Sequence, residues 1–287
     1  MTIISRIALV IFLGVVAAHA VSAQVELSPT RVILSLRERS QEVNLTNPTS
    51  ERVEVTTDLG FRLLQSDSLG RVTLRSDASS DELRKSCRNW VKIFPHRFTL
   101  APGESRSVRV LILPPDSIPD GEYWGRAVFG SSPVSVESSV LGDSAAQIET
   151  RLTMKIELDI PIIFRKGNTE TGISIDAVAM RGDAKGTLAL IDLRRSGNSA
   201  YRGTLSAHVR NVEGKDIATA TDQFTTEFSL RKSLRFPKLA LGSYTIEIES
   251  ATVKKGAAND AVITAPTMRR KYFVTVSASG IALSPGD

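Results

Sequence analysis

The clearest periodic pattern in the chain is the segment "RLTMKIELDIPIIFRKG", residues 151–167, in which apolar and polar side chains alternate. A period of two is typical of a β-strand with one face buried and the other in solvent. One face carries the apolar positions Leu152, Met154, Ile156, Leu158, Ile160 and Ile162. We therefore predict a half-buried antiparallel strand over Ile156–Ile162.

The alternating segment is also longer than a typical strand. Its twelve residues from Arg151 to Ile162 span about 40 Å at about 3.3 Å each, roughly twice the usual strand length. We therefore expect residues 148–154 to lie on an exposed edge, with Ile148, Leu152 and Met154 entering a partner's groove. A free edge invites aggregation, so we expect the Gly/Ser-rich residues 130–146 to cover it, or self-association to do so.

The rest of the first half consists of short strand patterns separated by turn residues. The strand candidates are "TRVILSL", "QEVNLTN", "RVEVTTDL", "GRVTLRS", "SVRVLIL" and "YWGRAVF". Between them lie "NPTSE", "LAPGES" and "PPDSIPDG", which are rich in residues that turn the chain. Only "SSDELRKSC" has the character of a helical turn. Strands at this spacing predict a β-sandwich.

A second set of strand patterns follows "FRKGNTETG". Its members are "GISIDAVAM", "GTLALIDLRR", "RGTLSAHVRN", "TEFSLRK", "GSYTIEIESATV" and "KYFVTVSAS". Gly and Asn in "SGNSAYRG" and "NVEGKDI" are typical of tight hairpin turns. We therefore predict an all-β chain of two β-sandwich domains in tandem, over residues 24–166 and 167–287, with the boundary near Gly167.

The N-terminal residues 1–23 have the pattern of an export signal. Arg6 supplies a positive charge, "IALVIFLGVVAA" is apolar but short for a membrane span, and "VSA" precedes Gln24 with small residues at the cleavage subsites. The alternative is an uncleaved N-terminal anchor. We predict a cleaved signal and a periplasmic protein.

Composition and charge indicate an ordinary globular protein. The chain has 41% hydrophobic and 23% charged residues, which excludes a disordered or fibrous class. Residues 24–165 contain 18 basic and 19 acidic side chains, whereas residues 166–287 contain 17 and 12. The basic excess is explained by scattered surface lysines or by affinity for an anionic envelope polymer. Nucleic acid is not expected as a partner of an exported protein.

The residues needed for common catalytic and metal sites are scarce. Cys87 is the only cysteine, so no internal disulfide can form, and it is either a buried small hydrophobe or a reactive thiol beside basic residues. After the signal only His96 and His208 remain, too few with one cysteine for a Cys/His zinc site. No nucleophile elbow or phosphate-binding loop is present. We predict no enzyme activity, no cofactor and no metal.

Four stretches of the first half resemble one known family. They are "LSPTRVILSLRERSQEVNLTNPTSERVEV", "IFPHRFTLAPGESRSVRVLIL", "IPDGEYWGRAVF" and "KIELDIPIIFRKG". In this order they resemble the N-terminal domain of PapD-like periplasmic pilus-assembly chaperones over most of residues 25–166. The second half resembles the family in position and class alone.

The resemblance implies two Ig-like sandwiches set at an angle and a function in binding. In such chaperones the last strand of the first domain completes a client subunit by β-augmentation, and an arginine and a lysine bind the client's C-terminal carboxylate. Arg31, in "SPTRVIL", falls on the arginine position. A guanidinium suits a carboxylate because its planar fork donates two charge-assisted hydrogen bonds.

The lysine position is where this chain departs from the family. Alignment on "IIFR" puts Pro161 at the site of that lysine. Lys155 lies six residues away, about 20 Å along an extended strand, and Lys166 could reach back only from the linker. The set of partner-binding residues implied here is Arg31, Ile148, Leu152, Met154, Ile156 and Lys166.

Three functions therefore remain open at this point. The first is a periplasmic chaperone that binds exported pilus or surface-protein subunits by strand augmentation, with an outer-membrane assembly protein as a further partner. The second is a non-catalytic envelope-binding or scaffold protein on the same Ig-like domains. The third is an enzyme. Co-purification of a bound subunit from the periplasm distinguishes the first from the others.

The signal pattern generates a direct prediction. The exported protein is expected to begin at Gln24, because "VSA" satisfies the small-residue requirement of the cleavage site. Intact-mass measurement of the periplasmic protein checks this, and recovery of Met1 on the exported chain would contradict it.

Overall fold

The computed structural model describes residues 25–134, 155–252 and 262–286. The described part of the first half contains two short helical segments, α1 (Ser80–Leu83) and a 3-10 turn (Arg88–Trp90). Its strands are β1 (Glu26–Ser28), β2 (Val32–Ser35), β3 (Ser40–Thr46), β4 (Val53–Gly60), β5 (Leu63–Ser66), β6 (Val72–Arg75), β7 (Val91–Phe94), β8 (Arg97–Leu100), β9 (Ser105–Ile112), β10 (Gly121–Pro133) and β11 (Ile156–Lys166).

The second half is built from strands in its described residues. They are β12 (Thr171–Asp183), β13 (Gly186–Gly197), β14 (Tyr201–Asn211), β15 (Asp216–Thr226), β16 (Ser229–Phe236), β17 (Gly242–Ala251), β18 (Met268–Ser277) and β19 (Gly280–Pro285). The predicted all-β class with two Ig-like sandwiches in tandem is confirmed.

The first sandwich packs a four-stranded sheet, β1-β3-β9-β7, on a five-stranded sheet, β2-β11-β10-β4-β8. Alternating residues of both sheets fill one core, in which Val43, Leu45, Val110, Phe129 and Ile162 are fully buried. All pairings in these two sheets are antiparallel except that of β2 with β11. In the sequence, β2 and β11 are the first and last strands of the five-stranded sheet, and a long connection therefore separates these two parallel neighbours.

The second sandwich packs a three-stranded sheet, β12-β13-β16, on a five-stranded sheet, β15-β14-β17-β18-β19. Tyr201 lies at its centre, fully buried, and its hydroxyl group hydrogen-bonds with that of Ser250 at 2.9 Å. The hairpin predicted at "NVEGKDI" is confirmed, since it joins the paired strands β14 and β15 with Gly214 at positive φ, whereas the hairpin predicted at "SGNSAYRG" is wrong, because that segment connects β13 to β14 in the other sheet with Gly197 at positive φ. A left-handed backbone there is compatible with Gly but strained for other residues.

Most strands predicted from alternation are present, but some were missed or misplaced. The segment "TEFSLRK" is not one strand, because the chain turns at Glu227–Phe228 between β15 and β16. Short strands such as β7 and β8 were missed because four residues give only two buried positions each. The predicted helical turn is confirmed by α1, whose N-cap Ser79 forms a capping box with Glu82.

Strand β11 confirms the half-buried antiparallel strand predicted over Ile156–Ile162. It pairs with β10 from Ile156 opposite Ser131 to Lys166 opposite Gly121. Its end is four residues beyond the predicted one, since the apolar run continues into a second buried region. Ile162 faces the first core, whereas Ile163 packs with Trp124 at the junction of the sandwiches.

A hairpin of the first half packs against the second sandwich. Within the described ranges β5 and β6 pair with no strand but each other, and Leu64 of β5 packs on the second core. The backbone N–H of Leu64 donates to Glu227 Oε2 at 3.4 Å, and that of Arg231 donates to Ser66 Oγ at 2.7 Å. The two sandwiches are therefore joined by this hairpin as well as by the linker.

The linker between β11 and β12 spans residues 167–170. Gly167 has φ 57°, and Asp120 accepts a hydrogen bond from the backbone N–H of Asn168 at 2.9 Å. The predicted division after Lys166 falls between the two strands, and the domain ranges themselves stay a prediction. No helix within the described residues is long and apolar enough to cross a membrane.

The burial of β11 generates a prediction for two positions on the same strand face. Ile162→Ala should lower the free energy of unfolding by about 2–5 kcal/mol, because it leaves a cavity in a closed core. Leu158→Ala should cost about 1 kcal/mol, because Leu158 is only half-buried and lies outside the core cluster. Urea denaturation checks both variants, and equal losses would contradict the assignment of Leu158 to the rim.

Candidate functional site

Part of strand β11 has a free edge in the five-stranded sheet of the first sandwich. Strand β10 pairs with all of β11, but on the other side β2 pairs only with Ile162–Arg165. Among the described residues no strand pairs with this side of residues 156–161. The backbone N–H and C=O groups that point away from β10 there are available to an added strand.

The free edge has one apolar face. Ile156 and Leu158 are half-buried, and Ile160 is buried in the first core. The opposite face is charged: Asp159 accepts hydrogen bonds from Arg62 and Arg126, both at 3.1 Å. An added strand would therefore contact apolar side chains on one face of β11. On the other face it would meet an Asp159 carboxylate that is already paired with two arginines.

Arg31 lies at the C-terminal end of the free edge, next to residue 161. Because β2 is parallel to β11 and Val32 lies opposite Ile162, the next position back along both strands places Arg31 beside Pro161. Arg31 is half-buried, and no hydrogen bond or ion pair joins its side chain to any described residue. Burial, followed by the nearby charge of Arg202, lowers the pKa of the Arg31 guanidinium. An anion there would relieve both effects.

Glu122 is the centre of a buried ionic network next to Arg31. Its side chain is fully buried and accepts from Arg202 Nη2 at 2.8 Å, Arg165 Nε at 3.0 Å and Trp124 Nε1 at 2.6 Å. Arg202 belongs to β14 of the second sandwich, and Arg165 to β11 of the first. One carboxylate therefore joins the two sandwiches.

The ionisation of Glu122 depends on its arginine partners. Burial by itself opposes the charged form, but the charge and hydrogen bonds of Arg202, the Trp124 N–H and the Arg165 charge outweigh it. The pKa of Glu122 is therefore held below its ordinary value. Arg31, Lys85 and Arg195 also sense the charge of Glu122, so several cations surround one buried anion.

The structure does not bring Lys166 to Arg31. Its Nζ donates to the backbone carbonyl oxygens of Asp116 and Ile118, at 3.0 and 2.5 Å, in the loop before β10. Lys155 pairs with Glu157 at 3.1 Å at the other end of the strand. Neither lysine takes the place that Pro161 leaves, and the cations beside Arg31 are Arg202 and Arg165.

Three of the proposed partner-binding residues, Ile148, Leu152 and Met154, lie outside the described residues. The Gly/Ser-rich stretch expected to cover the edge is described only as far as Val134. Their roles stay predictions. Ile156 is the first residue of β11 and lies on the apolar face at the free edge.

Cys87 is a buried small hydrophobe and not a reactive thiol. It is 0% exposed in the first core, its backbone N–H donates to the carbonyl oxygen of Trp124 at 2.8 Å, and burial raises its pKa. No group of acidic, histidine or cysteine side chains in the described ranges is arranged to hold a metal ion.

Glu122, Arg165 and Arg202 were not predicted as functional residues. Each stands within or beside a strand pattern, where a charge at one position is normally read as solvated. The available signal was local: Glu122 precedes the aromatic pair Tyr123–Trp124, and Arg165 follows the apolar run of β11. Charged residues so close to apolar runs must be paired if buried, but the partner could not be named.

Comparison with known proteins finds similarity only among solved structures. No protein-family model matches the chain, and no curated protein does. The YadV chaperone is 12% identical, with 86% of this chain and 100% of that chain covered and a TM-score of 0.43. The CsuC–CsuE chaperone–tip adhesion subunit complex of Acinetobacter baumannii is 10% identical, covers 86% and 98%, and has a TM-score of 0.44.

A third similar structure is the Salmonella enterica SafA pilin in complex with the SafB chaperone. It is 13% identical, with 85% and 94% of the chains covered and a TM-score of 0.42. These three structures are a chaperone and two complexes of a chaperone with a pilus subunit. This is the class that the sequence resemblance named. A likeness at this level assigns no residue roles, which rest on the contacts described above.

The Glu122 network generates a stability prediction. Glu122→Gln should lower the free energy of unfolding at pH 7 by about 3 kcal/mol, because it leaves the buried arginines without a counter-charge. Since the folded pKa of Glu122 is depressed, its stabilisation is present above the ordinary glutamate value and is lost as the pH falls through the folded pKa. The difference between wild type and variant should therefore shrink below about pH 4.5.

The matched control is Glu42→Gln, which breaks the exposed pair of Glu42 with Arg109. This control should lose less than about 0.5 kcal/mol. Thermal and urea unfolding at neutral and acidic pH measure both variants. A loss for Glu122→Gln that does not change with pH would show that packing, and not charge, accounts for it.

Proposed function

We propose that the protein is a periplasmic chaperone that binds exported pilus or surface-protein subunits by β-strand augmentation. The observation that carries the proposal is the free edge of β11 at residues 156–161, which ends beside Arg31. An edge of backbone donors and acceptors binds an extended segment, and alternate side chains contribute specificity. The solved structures that resemble the chain include chaperone–subunit complexes.

In our proposal the bound strand runs parallel to β11. A segment that adds to the free edge continues the line of β2, which runs parallel to β11. If the segment is also parallel, its C-terminal end points toward residue 31. A terminal carboxylate then meets the half-buried guanidinium of Arg31, which has no anionic contact among the described residues. A charge-assisted pair of this kind adds both affinity and register.

The apolar face of β11 supplies the side chains for the client. Ile156 and Leu158 lie at the free edge outside the first core, so they can enter a groove that lacks a strand. In our proposal Ile148, Leu152 and Met154 continue the same apolar line in the N-terminal direction. An outer-membrane assembly protein is the natural recipient of such a client.

An alternative is an envelope-binding or scaffold protein built on the same sandwiches. The excess of basic residues in 166–287 favours this alternative, because a positively charged domain attracts an anionic polymer. Such a protein needs no client strand, so its binding would survive disruption of β11. The same variant therefore tests both functions.

The proposed function predicts a loss of partner capture from two substitutions. The Ile156→Glu, Leu158→Glu double variant should retain its far-UV circular dichroism and lose at least about tenfold of the co-purifying subunit, because charged side chains oppose burial in an apolar groove. Mass spectrometry of material purified from the periplasm measures the capture. The control is Glu157→Gln, on the charged face of the same strand, which should capture the subunit normally.

Two outcomes would contradict the proposal. One is a wild-type protein that carries no exported subunit from cells grown under conditions of surface-fibre expression. The other is a folded double variant that captures the same subunit as the wild type, which would favour the scaffold function.

A further inference from the structure

Four loops meet at the end of the second sandwich that lies opposite the linker, here called the distal tip. They connect β12 to β13, β14 to β15, β16 to β17 and β18 to β19, over residues 183–186, 211–216, 236–242 and 277–280. Strand pairing brings them together, since Asn211 lies opposite Tyr244 and Gly242 lies opposite Val276. The thirteen residues of β12 place the tip about 40 Å from the linker.

Two apolar side chains are exposed at the distal tip. Val212 is 80% exposed and Leu241 is 70% exposed, more than any other large hydrophobic side chain in the part of the chain that the structure describes. Single exposed apolar residues are common on protein surfaces. These two, however, lie at the same end of the neighbouring strands β14 and β17. Clustered apolar exposure of this kind indicates a contact surface.

Neither side chain is needed to form its loop. In the β14–β15 hairpin, the side-chain oxygen of Asn211 accepts hydrogen bonds from two backbone N–H groups of the turn, at 2.9 and 3.1 Å. In the β16–β17 loop, Leu239 is buried in the second core, whereas Leu241 stays outside it. Polar residues usually occupy such turns. Local folding therefore does not explain why Val212 and Leu241 are apolar.

Three lysines share the distal tip with the apolar pair. Lys215 lies in the β14–β15 hairpin, and Lys238 lies in the β16–β17 loop. Lys185 lies in the β12–β13 turn, which packs against that loop, since a Cβ on Gly186 would lie 3.5 Å from the backbone nitrogen of Lys238. All three lysines are exposed, and no ion pair joins them to a described residue. Their charges are available to an anionic surface.

The distal tip has an excess of positive charge. With the adjoining strand residues it contains six basic and three acidic side chains, over residues 181–186, 210–216, 235–242 and 277–280. Two of the acidic side chains are already paired, Asp183 with Arg235 and Asp216 with Arg210, both at 2.8 Å. The third is Glu213. The net charge of +3 is more than half of the +5 excess of residues 166–287.

We propose that the distal tip binds the surface of an anionic phospholipid membrane. Val212 and Leu241 enter the headgroup region, and the three lysines contact lipid phosphates. Apolar side chains on exposed loops are stabilised by leaving water, and lysines near an anionic surface add electrostatic attraction. A lysine can keep its ammonium group at the headgroups while its stem contacts acyl chains.

The same observations argue against two other occupants of the tip. A second copy of the chain would bring two basic tips together, which like-charge repulsion opposes. A soluble anionic polymer would use the lysines but leave Val212 and Leu241 exposed. The proposal goes beyond the proposed function and does not depend on it, because the free edge of β11 belongs to the other sandwich.

The test is binding of the full exported chain to phospholipid vesicles, measured by flotation. With about 30% phosphatidylglycerol in phosphatidylcholine, we expect saturable binding with an apparent Kd on the order of 0.1 mM accessible lipid. Vesicles of phosphatidylcholine alone should bind at least about tenfold more weakly. Sodium chloride at about 0.5 M should weaken binding to the anionic vesicles by a similar factor, because salt screens exposed charges.

A pair of double variants tests the apolar contribution. Val212→Ser with Leu241→Ser should weaken binding to anionic vesicles by about tenfold or more, because it removes the side chains that leave water. Its far-UV circular dichroism should match the wild type, since neither side chain is buried. The matched control is Leu36→Ser with Leu113→Ser, which removes two exposed apolar side chains from the first sandwich and should bind as the wild type does.

A pair of triple variants tests the charge. Changing the three tip lysines to glutamine should weaken binding by about tenfold or more. The control changes three exposed lysines elsewhere to glutamine and should have little effect: Lys92, Lys155 and Lys271. A fluorescent reporter locates the contact. Leu241→Trp should shift its emission to shorter wavelength when anionic vesicles are added, whereas Leu113→Trp should not.

Several results would overturn the proposal. Equal affinity for neutral and anionic vesicles would exclude the lysines, and wild-type affinity of the folded Val212→Ser, Leu241→Ser variant would exclude the apolar pair. Self-association that this variant abolishes, without vesicle binding, would show that a second copy covers the tip. Binding of heparin without vesicle binding would assign the tip to a soluble polymer. Subunit capture through Ile156 and Leu158 is measured separately, so its failure would overturn the proposed function and not the membrane contact.

Discussion

The buried carboxylate of Glu122 constrains the structure more than any other described group. A charge with no solvent exposure is tolerated only when ionic and hydrogen-bonding partners replace water. Here those partners are Trp124, Arg165 and Arg202, so they come from β10, β11 and the second sandwich. The sandwiches must therefore meet where all three can reach one carboxylate, and this junction lies beside Arg31.

The position of the free edge follows from the shortness of β2. Four residues of β2 cover only the last part of β11, and the preceding six remain open on that side among the described residues. An open apolar edge is an aggregation hazard that most proteins avoid. Its retention next to a half-buried arginine is easier to explain by a function in binding than by stability, because neither feature improves the packing of the first core.

The hairpin β5–β6 gives the junction a second connection. It belongs to the first half of the chain but packs on the second core through Leu64, and Gly70 approaches β16 so closely that a Cβ there would lie 2.8 Å from the Ser233 nitrogen. The hairpin thereby supplies one wall of a cavity beside Arg31. Two linkages of different kinds, one ionic and one apolar, thus define the space in which the client terminus is proposed to bind.

Alternation of apolar and polar residues by itself determined the all-β class, the tandem sandwiches and the faces of β11, since a period of two assigns each side chain to one face whatever the partner strand. It also placed Ile156 on the apolar face, whereas Arg31 and the departure at Pro161 came from the family resemblance of the sequence. It could not show that Lys166 binds a loop carbonyl or that Arg202 pairs with Glu122, because these contacts join residues that are 48 and 80 positions apart. Only the tertiary structure brings such residues together. In the sequence, a charged residue within a strand pattern looks the same whether its partner in the fold is water or a buried arginine.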